Sequence, residues 1–347
     1  MPWLVAFVIG LLGTPSPRAR DDRAMYAWHM GTLQSYADGD YERFDRELRA
    51  NTNGTPARLA YLARGFKSAG PQWIRKGPPE TRDRRRLVIA AVAVELANQA
   101  GLADWPEARS LIEWACALLR QNARRSSAER TWLWAATAVF EGAADAAVLQ
   151  AHVTHALKRF PGDGRFTLAR AMAAELRTWP DPRDGRTPRQ RNAGGVGLAV
   201  TRFNEARQFD EVRAEAALHL GFLAIRNGDF AESLRYFREA ESAQPDRFIL
   251  HLLQLFRGRA LERLNRPDEA IEAYRAAIAA EPAQTARLAL AAALARSGRT
   301  PDGVRLAADA TAAPSDGVDP WIAYGRGDAR MWPAILQQLR RDVAKSR

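Results

Sequence analysis

Of the five histidines in this chain, His152 and His155 are the only close pair. Their spacing places both imidazoles on one face of a helix, but a zinc site needs further protein ligands. No third ligand follows nearby, and the sequence contains no paired cysteines, no His-Glu-x-x-His motif and no glycine-rich phosphate loop. We therefore expect no metal site, no cofactor and no catalytic residue. We predict that both histidines are half-exposed on the second helix of a hairpin.

Three arginines, Arg226, Arg263 and Arg296, occupy equivalent positions just before three predicted turns. A guanidinium forms two parallel hydrogen bonds with a carboxylate, so the series could bind an acidic peptide or a C-terminal carboxylate. Each arginine also lies at the C-terminal end of a predicted helix, where the helix dipole stabilises a cation by about 0.3–1 kcal/mol. The sequence leaves both interpretations open and favours the second.

The elements that position these arginines are clearest in residues 214–245. Apolar residues at three- and four-residue intervals predict two helices, separated by a turn at Gly228. Gly221 and Ala240 are small enough for the two helices to approach closely, beside the ring of Phe237. This arrangement resembles the tetratricopeptide repeat, which has a small residue in its first helix, an aromatic residue and an alanine in its second, and a closing proline.

The pattern recurs twice downstream, so that the resemblance is clear over residues 214–310. In residues 251–282 the glycine, the aromatic residue and the alanine are Gly258, Tyr274 and Ala277. The two closing prolines are 37 residues apart, against roughly 34 in the family, which predicts an extra turn in the linker at 246–250. A third, fainter copy begins near residue 284 and lacks the aromatic residue and the proline.

The resemblance implies a non-catalytic scaffold or adaptor whose first helices line a concave groove for a protein or peptide partner. The predicted groove residues are Leu218, Phe222, Ile225, Arg226, Leu255, Arg259, Arg263, Leu288, Ala292 and Arg296. Relatives that bind chaperone tails place Lys and Asn on the first helix, where this chain has Leu218 and Phe222. A hydrophobic or amphipathic helix is therefore the expected guest.

The rest of the chain is predicted to be helical as well. Apolar periodicity indicates helices at 84–98, 105–119, 128–140, 146–160 and 166–178, a loop at 67–86, and no convincing strand. The predicted fold is all-α, an α-solenoid built as a right-handed superhelix of tetratricopeptide-like hairpins with a C-terminal capping helix. The predicted divisions are a signal-like segment 1–20, degenerate repeats 24–178, a Pro/Gly/Arg-rich linker 180–197, repeats 198–313 and a capping segment 319–347.

The capping segment carries several large apolar side chains. A last helix is predicted at 332–343, with a proline acceptable in its first turn. We expect the segment to cover the exposed face of the last repeat through Trp321, Tyr324, Trp332 and Leu336.

The net charge of +11 raises the question of nucleic-acid binding. Only four of the 51 basic residues are lysines, which leaves 47 arginines and indicates the codon bias of a GC-rich bacterial genome. The densest run, Arg82–Arg86, is expected to be a solvated loop at the start of a helix. We expect no nucleic-acid partner, although nucleic-acid binding through the arginine-rich segments stays an alternative. The second alternative is an enzyme with an unrecognised site on the front helices.

The apolar run at 3–12, WLVAFVIGLL, has the length of a signal peptide and is too short to span a bilayer. It lacks a preceding positive region, since the first arginines follow it. The run favours an exported or membrane-associated protein without a stable membrane span, the alternative being a cytoplasmic one. Cys116, the single cysteine, excludes an internal disulfide and is expected in the core beside Trp114 and Leu118.

Overall fold

A computed structural model shows a chain that is mostly helical over the residues it describes. The described residues are Arg43, Arg46, 56–75, 79–97, 106–123, 130–143, 145–179, 188–312 and 319–324. Within these ranges the regular structure is helical and contains no strand, which confirms the predicted all-α class. The chain divides into two compact units, one formed by residues 1–126 and 333–347 and the other by residues 127–332. The division at residue 126 falls inside the predicted repeat domain 24–178.

In the first unit, three helices pack on one another: α1 (Pro56–Arg75), α2 (Pro79–Ala97) and α3 (Pro106–Ala123). The loop predicted at 67–86 is wrong, because α1 and α2 occupy most of it. Gly70, within the predicted loop, lies on α1 against α3, where an added Cβ would be 2.6 Å from the ring of Trp114. Cys116 is buried, as expected.

The second unit is a series of helical hairpins, each packed on the next. The first two hairpins are α4 (Arg130–Gly142) with α5 (Ala146–Arg159), and α6 (Gly164–Leu176) with α7 (Pro188–Ala206). The following three are α8 (Arg213–Asn227) with α9 (Phe230–Ser242), α10 (Arg247–Arg263) with α11 (Pro267–Ala280), and α12 (Gln284–Arg296) with α13 (Thr300–Ala312). A single helical turn, α14 (Pro320–Ala323), comes after them.

Glycines on α8 and α10 bring the two helices of a hairpin together. A Cβ added at Gly221 would lie less than 3 Å from three ring carbons of Phe237, and one at Gly258 equally close to three of Tyr274. The predicted close approach is therefore confirmed in both hairpins. In the last hairpin, α12–α13, Ala291 replaces the glycine, and the close approach moves to Gly303 of α13, whose added Cβ would be 2.5 Å from the carbonyl oxygen of Ala291.

The turns inside these three hairpins share one backbone conformation. Gly228, Asn265 and Gly298 have φ values of 88°, 58° and 83°, the left-handed region that glycine and asparagine tolerate best. In each turn the next residue donates its amide hydrogen to a carbonyl oxygen in the last turn of the first helix, at 2.9 Å. This pattern ends a helix and reverses the chain.

The predicted linker 180–197 is wrong over its second half, because α7 begins at Pro188. Proline is favourable at the first position of a helix. Further along α7, Val196, Ala199 and Phe203 recur at helical spacing and are buried against neighbouring helices. Gly195 lies close to the residues that follow α6, with its added Cβ 3.1 Å from the Thr178 side chain. Pro188, part of the predicted linker, is therefore the start of a helix, and Gly195 is a packing contact.

The extra residues of the second repeat lengthen its first helix instead of its linker. Helix α10 has 17 residues, against 15 in α8 and 13 in α12. Asp246 caps α10, its carboxylate accepting a hydrogen bond from the Ile249 amide at 2.9 Å. The signal-like segment 1–20 and the helix predicted at 332–343 lie outside the described residues.

Candidate protein-binding face

The first helices of the last four hairpins, α6, α8, α10 and α12, form the surface on which the predicted groove residues lie. We call it the first-helix face. The first of these helices, α6, is capped by Asp163. This residue is 2% exposed and accepts a hydrogen bond from the Phe166 amide at 3.1 Å. The same carboxylate accepts hydrogen bonds from Arg130 (2.6 Å) and Trp134 (3.0 Å) of α4, so α6 is held against the preceding hairpin.

A short stretch of the chain itself covers part of this face. The residues 319–324, here called the 319–324 segment, bring Trp321 and Tyr324 onto an aromatic cluster completed by Trp179, Phe222 and Phe256. Tyr324 lies 4.9 Å from Phe222 and 5.5 Å from Phe256, measured between ring centroids. Trp321 lies 5.6 Å and 5.7 Å from the same two rings. These are the separations at which aromatic pairs attract each other.

A buried polar network lies beneath the aromatic cluster. The hydroxyl of Tyr324 donates to Oε1 of Glu175 at 2.9 Å, and Nδ1 of His219 donates to Oε2 at 2.6 Å. Both Glu175 and His219 are almost fully buried, and the imidazole stacks on Phe203 at 4.7 Å. Burial, and then the Glu175 carboxylate, raise the pKa of Tyr324 well above its usual value. The tyrosine is therefore held as the neutral hydrogen-bond donor.

The other end of the 319–324 segment is bound through Asp319. Its Oδ1 accepts from the Trp321 amide at 3.0 Å and caps α14, while Oδ2 accepts from the Thr285 amide at 2.8 Å. Thr285 lies in the first turn of α12, whose own cap residue, Ala283, supplies no side-chain hydrogen bond. A carboxylate at this position interacts favourably with the positive end of the helix dipole. Asp319 thus caps two helices.

The expected placement of Trp321 and Tyr324 over the last repeat is wrong. Their ring contacts are with Trp179, Phe222 and Phe256, which follow α6 or lie on α8 and α10. The buried carboxylate of Glu175 and the ring face of His219 give Tyr324 a partner for both its hydroxyl and its ring. Trp332 and Leu336 lie outside the described residues.

The predicted groove residues become more exposed from one repeat to the next. Leu218, Leu255 and Leu288 occupy equivalent positions and are 0%, 7% and 38% exposed. Phe222 is buried, whereas its equivalents Arg259 and Ala292 are exposed, and Ile225 is buried in the core. Arg259, Leu288 and Ala292 therefore form the uncovered part of the face, which we call the open strip.

The three equivalent arginines have three different environments. Arg226 donates to the hydroxyl (2.7 Å) and the carbonyl oxygen (3.0 Å) of Thr178, just after α6. Arg263 lies over the ring of Phe230 at 5.0 Å, and Arg296 forms an ion pair with Glu262. Arg226 therefore holds two hairpins together, while Arg263 and Arg296 are exposed.

The histidine pair and the arginine run 82–86 contain buried or paired side chains. His152 lies on the second helix of its hairpin, but it is 6% exposed, so the half-exposed prediction is wrong for this residue. The described residues contain no group of three or more His, Cys, Asp or Glu side chains placed to hold a metal ion. In the run at 82–86, Arg85 is buried and Arg86 pairs with Asp83 at 3.0 Å.

Sequence reasoning missed Trp179, Glu175 and Phe256 as residues of this face. Phe256 lies two residues before Gly258 and carries the only local signal, since it falls on the predicted first helix. Trp179 follows the end of α6, and Glu175 is one of many acidic residues; nothing in their spacing marks them. Their importance comes from the 319–324 segment, which contacts them from far along the chain.

The second unit is thus an array of stacked helical hairpins whose first helices share one partly covered apolar face. Residues 214–247 and 253–284 match the family model described as tetratricopeptide repeat. The chain therefore contains two tetratricopeptide repeats, α8–α9 and α10–α11, as the resemblance implied. Arrays of such repeats form extended surfaces for protein–protein interaction.

Several solved structures resemble the chain, at low identity. "MamA MSR-1 C2" is 15% identical with a TM-score of 0.37, over 56% of this chain and 96% of that one. "Structure of Naa15/Naa10 bound to HypK-THB" is 17% identical with a TM-score of 0.32, over 78% of this chain and 39% of that one. The yeast Tom70 structure is 10% identical with a TM-score of 0.21, over 92% and 96%. None of the curated proteins matches the chain.

Within the described residues, no helix is both long enough and apolar enough to cross a membrane.

Proposed function

We propose that this protein is a non-catalytic scaffold that binds a protein or peptide partner on its first-helix face. The two tetratricopeptide repeats support an interaction role in general. The observation that carries the proposal is the open strip: Arg259 and Leu288 are exposed at the positions where the preceding repeat buries Phe222 and Leu255, and Ala292 is exposed at the position of Arg259. A partner on the strip would extend an apolar face that the chain itself covers only in part.

The partner is an amphipathic helix with acidic residues on one side. Leu288 and Ala292 are one helical turn apart and offer an apolar surface. Arg259 and Arg263 are exposed beside it and would pair with carboxylates of the partner. Amphipathic helices bind grooves in this way, by apolar anchors spaced one turn apart.

Site-specific photocrosslinking tests the proposal. A photoreactive phenylalanine analogue at Leu288 should crosslink to a defined polypeptide in the native host, identified by mass spectrometry. Val304, which is 63% exposed and lies on the second helix α13, is the matched control position. Equal adducts at the two positions, or none at Leu288, would show that the first-helix face is not the binding surface.

We also propose that the protein acts in an exported assembly, on the strength of the apolar run at 3–12. Residues 1–24 fused to a reporter that is active only after export should give reporter activity in a bacterial host. Replacing Val5 and Val8 with aspartate should abolish it, because charges in the apolar core of a signal prevent its insertion. Equal activity with and without the aspartates would contradict export through this segment.

A further inference from the structure

We infer that the 319–324 segment is an internal ligand of the first-helix face, and that a partner replaces it with a helical turn of the same chemistry. The turn presents an acidic residue followed by aromatic residues two and five positions later, as Asp319, Trp321 and Tyr324 do. This inference rests on the proposed function, and it adds the chemistry of the partner and a competitor built into the chain.

The 319–324 segment is bound as a peptide ligand is bound. Its helix, α14, is a single turn of four residues. Its contacts are anchors: the Asp319 carboxylate on the start of α12, and the Tyr324 hydroxyl on Glu175 of α6. Between them, the two rings lie on Phe222 and Phe256. Recognition through one helical turn of anchor residues is the usual mode by which a helix binds a groove.

The polar network makes the site selective for a ring that carries a hydroxyl group. Glu175 is 2% exposed and receives its second hydrogen bond from Tyr324. Without a donor at that position, a buried carboxylate oxygen would lose its partner, which is costly. A phenylalanine in place of the tyrosine would fill the space between His219 and Phe222 but would not satisfy Glu175. The site therefore favours tyrosine at the last position of the turn.

The acidic position is specified in the same way. The first turn of α12 receives no side-chain hydrogen bond from its own cap residue, and the Thr285 amide is bound by Asp319 instead. Helix N-termini prefer a negatively charged acceptor. An aspartate or glutamate at the first position of the incoming turn would take over this contact, whereas a neutral apolar residue would leave the amide unbonded.

Covalent attachment gives the chain's own segment an advantage over any free peptide. A tethered ligand acts at an effective concentration of about millimolar for a short connection. A partner with the same turn must therefore make additional contacts to displace it. The open strip supplies them, because Arg259, Leu288 and Ala292 are exposed on the helices that the segment crosses or caps. Displacement thus requires a partner that engages both parts of the face.

The test uses a fluorescent peptide with the sequence of residues 316–327, DGVDPWIAYGRG. Its binding to the full-length protein is measured by fluorescence anisotropy, with the wild type and with the double variant Trp321→Ala/Tyr324→Ala. We expect the peptide to bind the double variant at least about tenfold more tightly than the wild type, because the wild-type site is filled. Equal affinities, or binding to neither protein, would overturn the inference.

Peptide variants test the chemistry of the turn. A peptide with phenylalanine at the position of Tyr324 should bind the double variant about tenfold more weakly, since it cannot donate to Glu175. A peptide with alanine at the positions of Trp321 and Tyr324 should not bind. If these peptides bound as well as the unaltered one, the aromatic cluster would not be the binding site.

A second protein variant keeps the test valid if the double variant does not fold. Asp319→Ala leaves both rings in place and removes only the contact with Thr285 and the cap of α14. It should bind the peptide several-fold more tightly than the wild type does, because the competing segment is held at one end only. An affinity unchanged from the wild type would count against displacement.

The failure of this inference can be told apart from the failure of the proposed function. The peptide experiment contains no natural partner, so it reports only on the 319–324 segment and its site. The photocrosslink at Leu288 reports on a partner at the open strip. Crosslinks without peptide binding would keep the scaffold and remove the internal ligand, whereas peptide binding without crosslinks would remove the partner.

Discussion

Gly221 and Gly258 determine how closely the helices of their hairpins approach, because each faces an aromatic ring. We expect Gly221→Ala to lower the stability of the protein by about 1–3 kcal/mol, the usual effect of overpacking a filled site. The added methyl group would lie within 3 Å of the Phe237 ring. Thermal and urea unfolding of the variant measure the change.

The matched control is Gly197→Ala on α7, where nothing lies within 4 Å of the added Cβ. That substitution should stabilise the protein by roughly 0.5–1 kcal/mol, because alanine is the better helix former. The last hairpin, α12–α13, pairs Ala291 with Ala307 at the equivalent positions. In a Phe237→Ala background, Gly221→Ala should therefore be nearly neutral. A double-mutant cycle without coupling between the two positions would contradict this packing.

His152 makes the stability of its hairpin dependent on pH. Its Nε2 lies 3.1 Å from the carbonyl oxygen of Leu133, while Nδ1 is buried without a hydrogen-bond partner. Burial lowers the pKa of His152 to about 4 from an ordinary value of 6.5. The unfolded chain thus takes up the proton first, so the stability contribution is complete above pH 6.5 and is lost as the pH falls towards 4.

We expect the free energy of unfolding to fall by up to about 3 kcal/mol across this range because of His152. Urea unfolding at a series of pH values measures it, and His152→Leu should flatten the profile between pH 6.5 and 4 while leaving the profile above pH 7 unchanged. If the variant and the wild type lost stability in parallel below pH 6.5, the buried neutral histidine would not be the cause.

At the scale of the helix pairs, Gly228, Asn265 and Gly298 each reverse the chain through a left-handed backbone conformation. Gly228→Ala and Gly298→Ala should each destabilise the protein by roughly 1–2 kcal/mol, because a Cβ is unfavourable at positive φ. Gly228→Asn should have a smaller effect, since Asn265 adopts this conformation in the second repeat. Gly162→Ala is the control, at a turn position with open space and no positive φ. Equal effects at Gly162 and Gly228, measured by urea unfolding, would contradict the conformational explanation.

The hairpins were predictable because their determinants are close together in sequence. The spacing of Gly221, Gly228 and Phe237 encodes a small residue, a turn and a ring within a single repeat, and the structure places all three as expected. The start of α7 was not predictable from spacing alone. Pro188 is compatible with either a break or the first position of a helix, and Gly195 disfavours a helix interior. Packing of α7 on its neighbours outweighs the local preference of Gly195.

The location of the predicted groove residues on first helices was predictable, and their burial was not. The ten predicted residues lie on first helices, as the repeat pattern requires, yet the buried and open parts of the face could not be separated. That separation depends on Tyr324, which bonds to Glu175 across 149 residues of sequence. A contact between residues so far apart leaves no periodic pattern in the sequence. Aromatic residues near a C-terminus are as compatible with a cap on the last repeat as with a segment on the first-helix face.

At the scale of the whole unit 127–332, the 319–324 segment changes how the array unfolds. Repeat arrays have mainly nearest-neighbour contacts, so their ends can unfold separately from their middle. Here Asp319 contacts α12, and Tyr324 contacts α6 and α8. The 319–324 segment therefore connects hairpins that are not adjacent, which favours a single cooperative transition for this unit.

We expect Trp321→Ala/Tyr324→Ala to keep the helical content of the protein while making unfolding of this unit less cooperative. Guanidinium unfolding followed by circular dichroism and by tryptophan fluorescence should show separated midpoints and a smaller m-value in the variant than in the wild type. Tyr324→Phe, which removes only the hydroxyl group, should lower stability by roughly 1–3 kcal/mol, because it leaves a buried carboxylate oxygen without its donor. It should keep the cooperativity, since both rings stay on Phe222 and Phe256. Were the double variant as cooperative as the wild type, the hairpins would be coupled through their own neighbours, and the 319–324 segment would serve only to occupy the face.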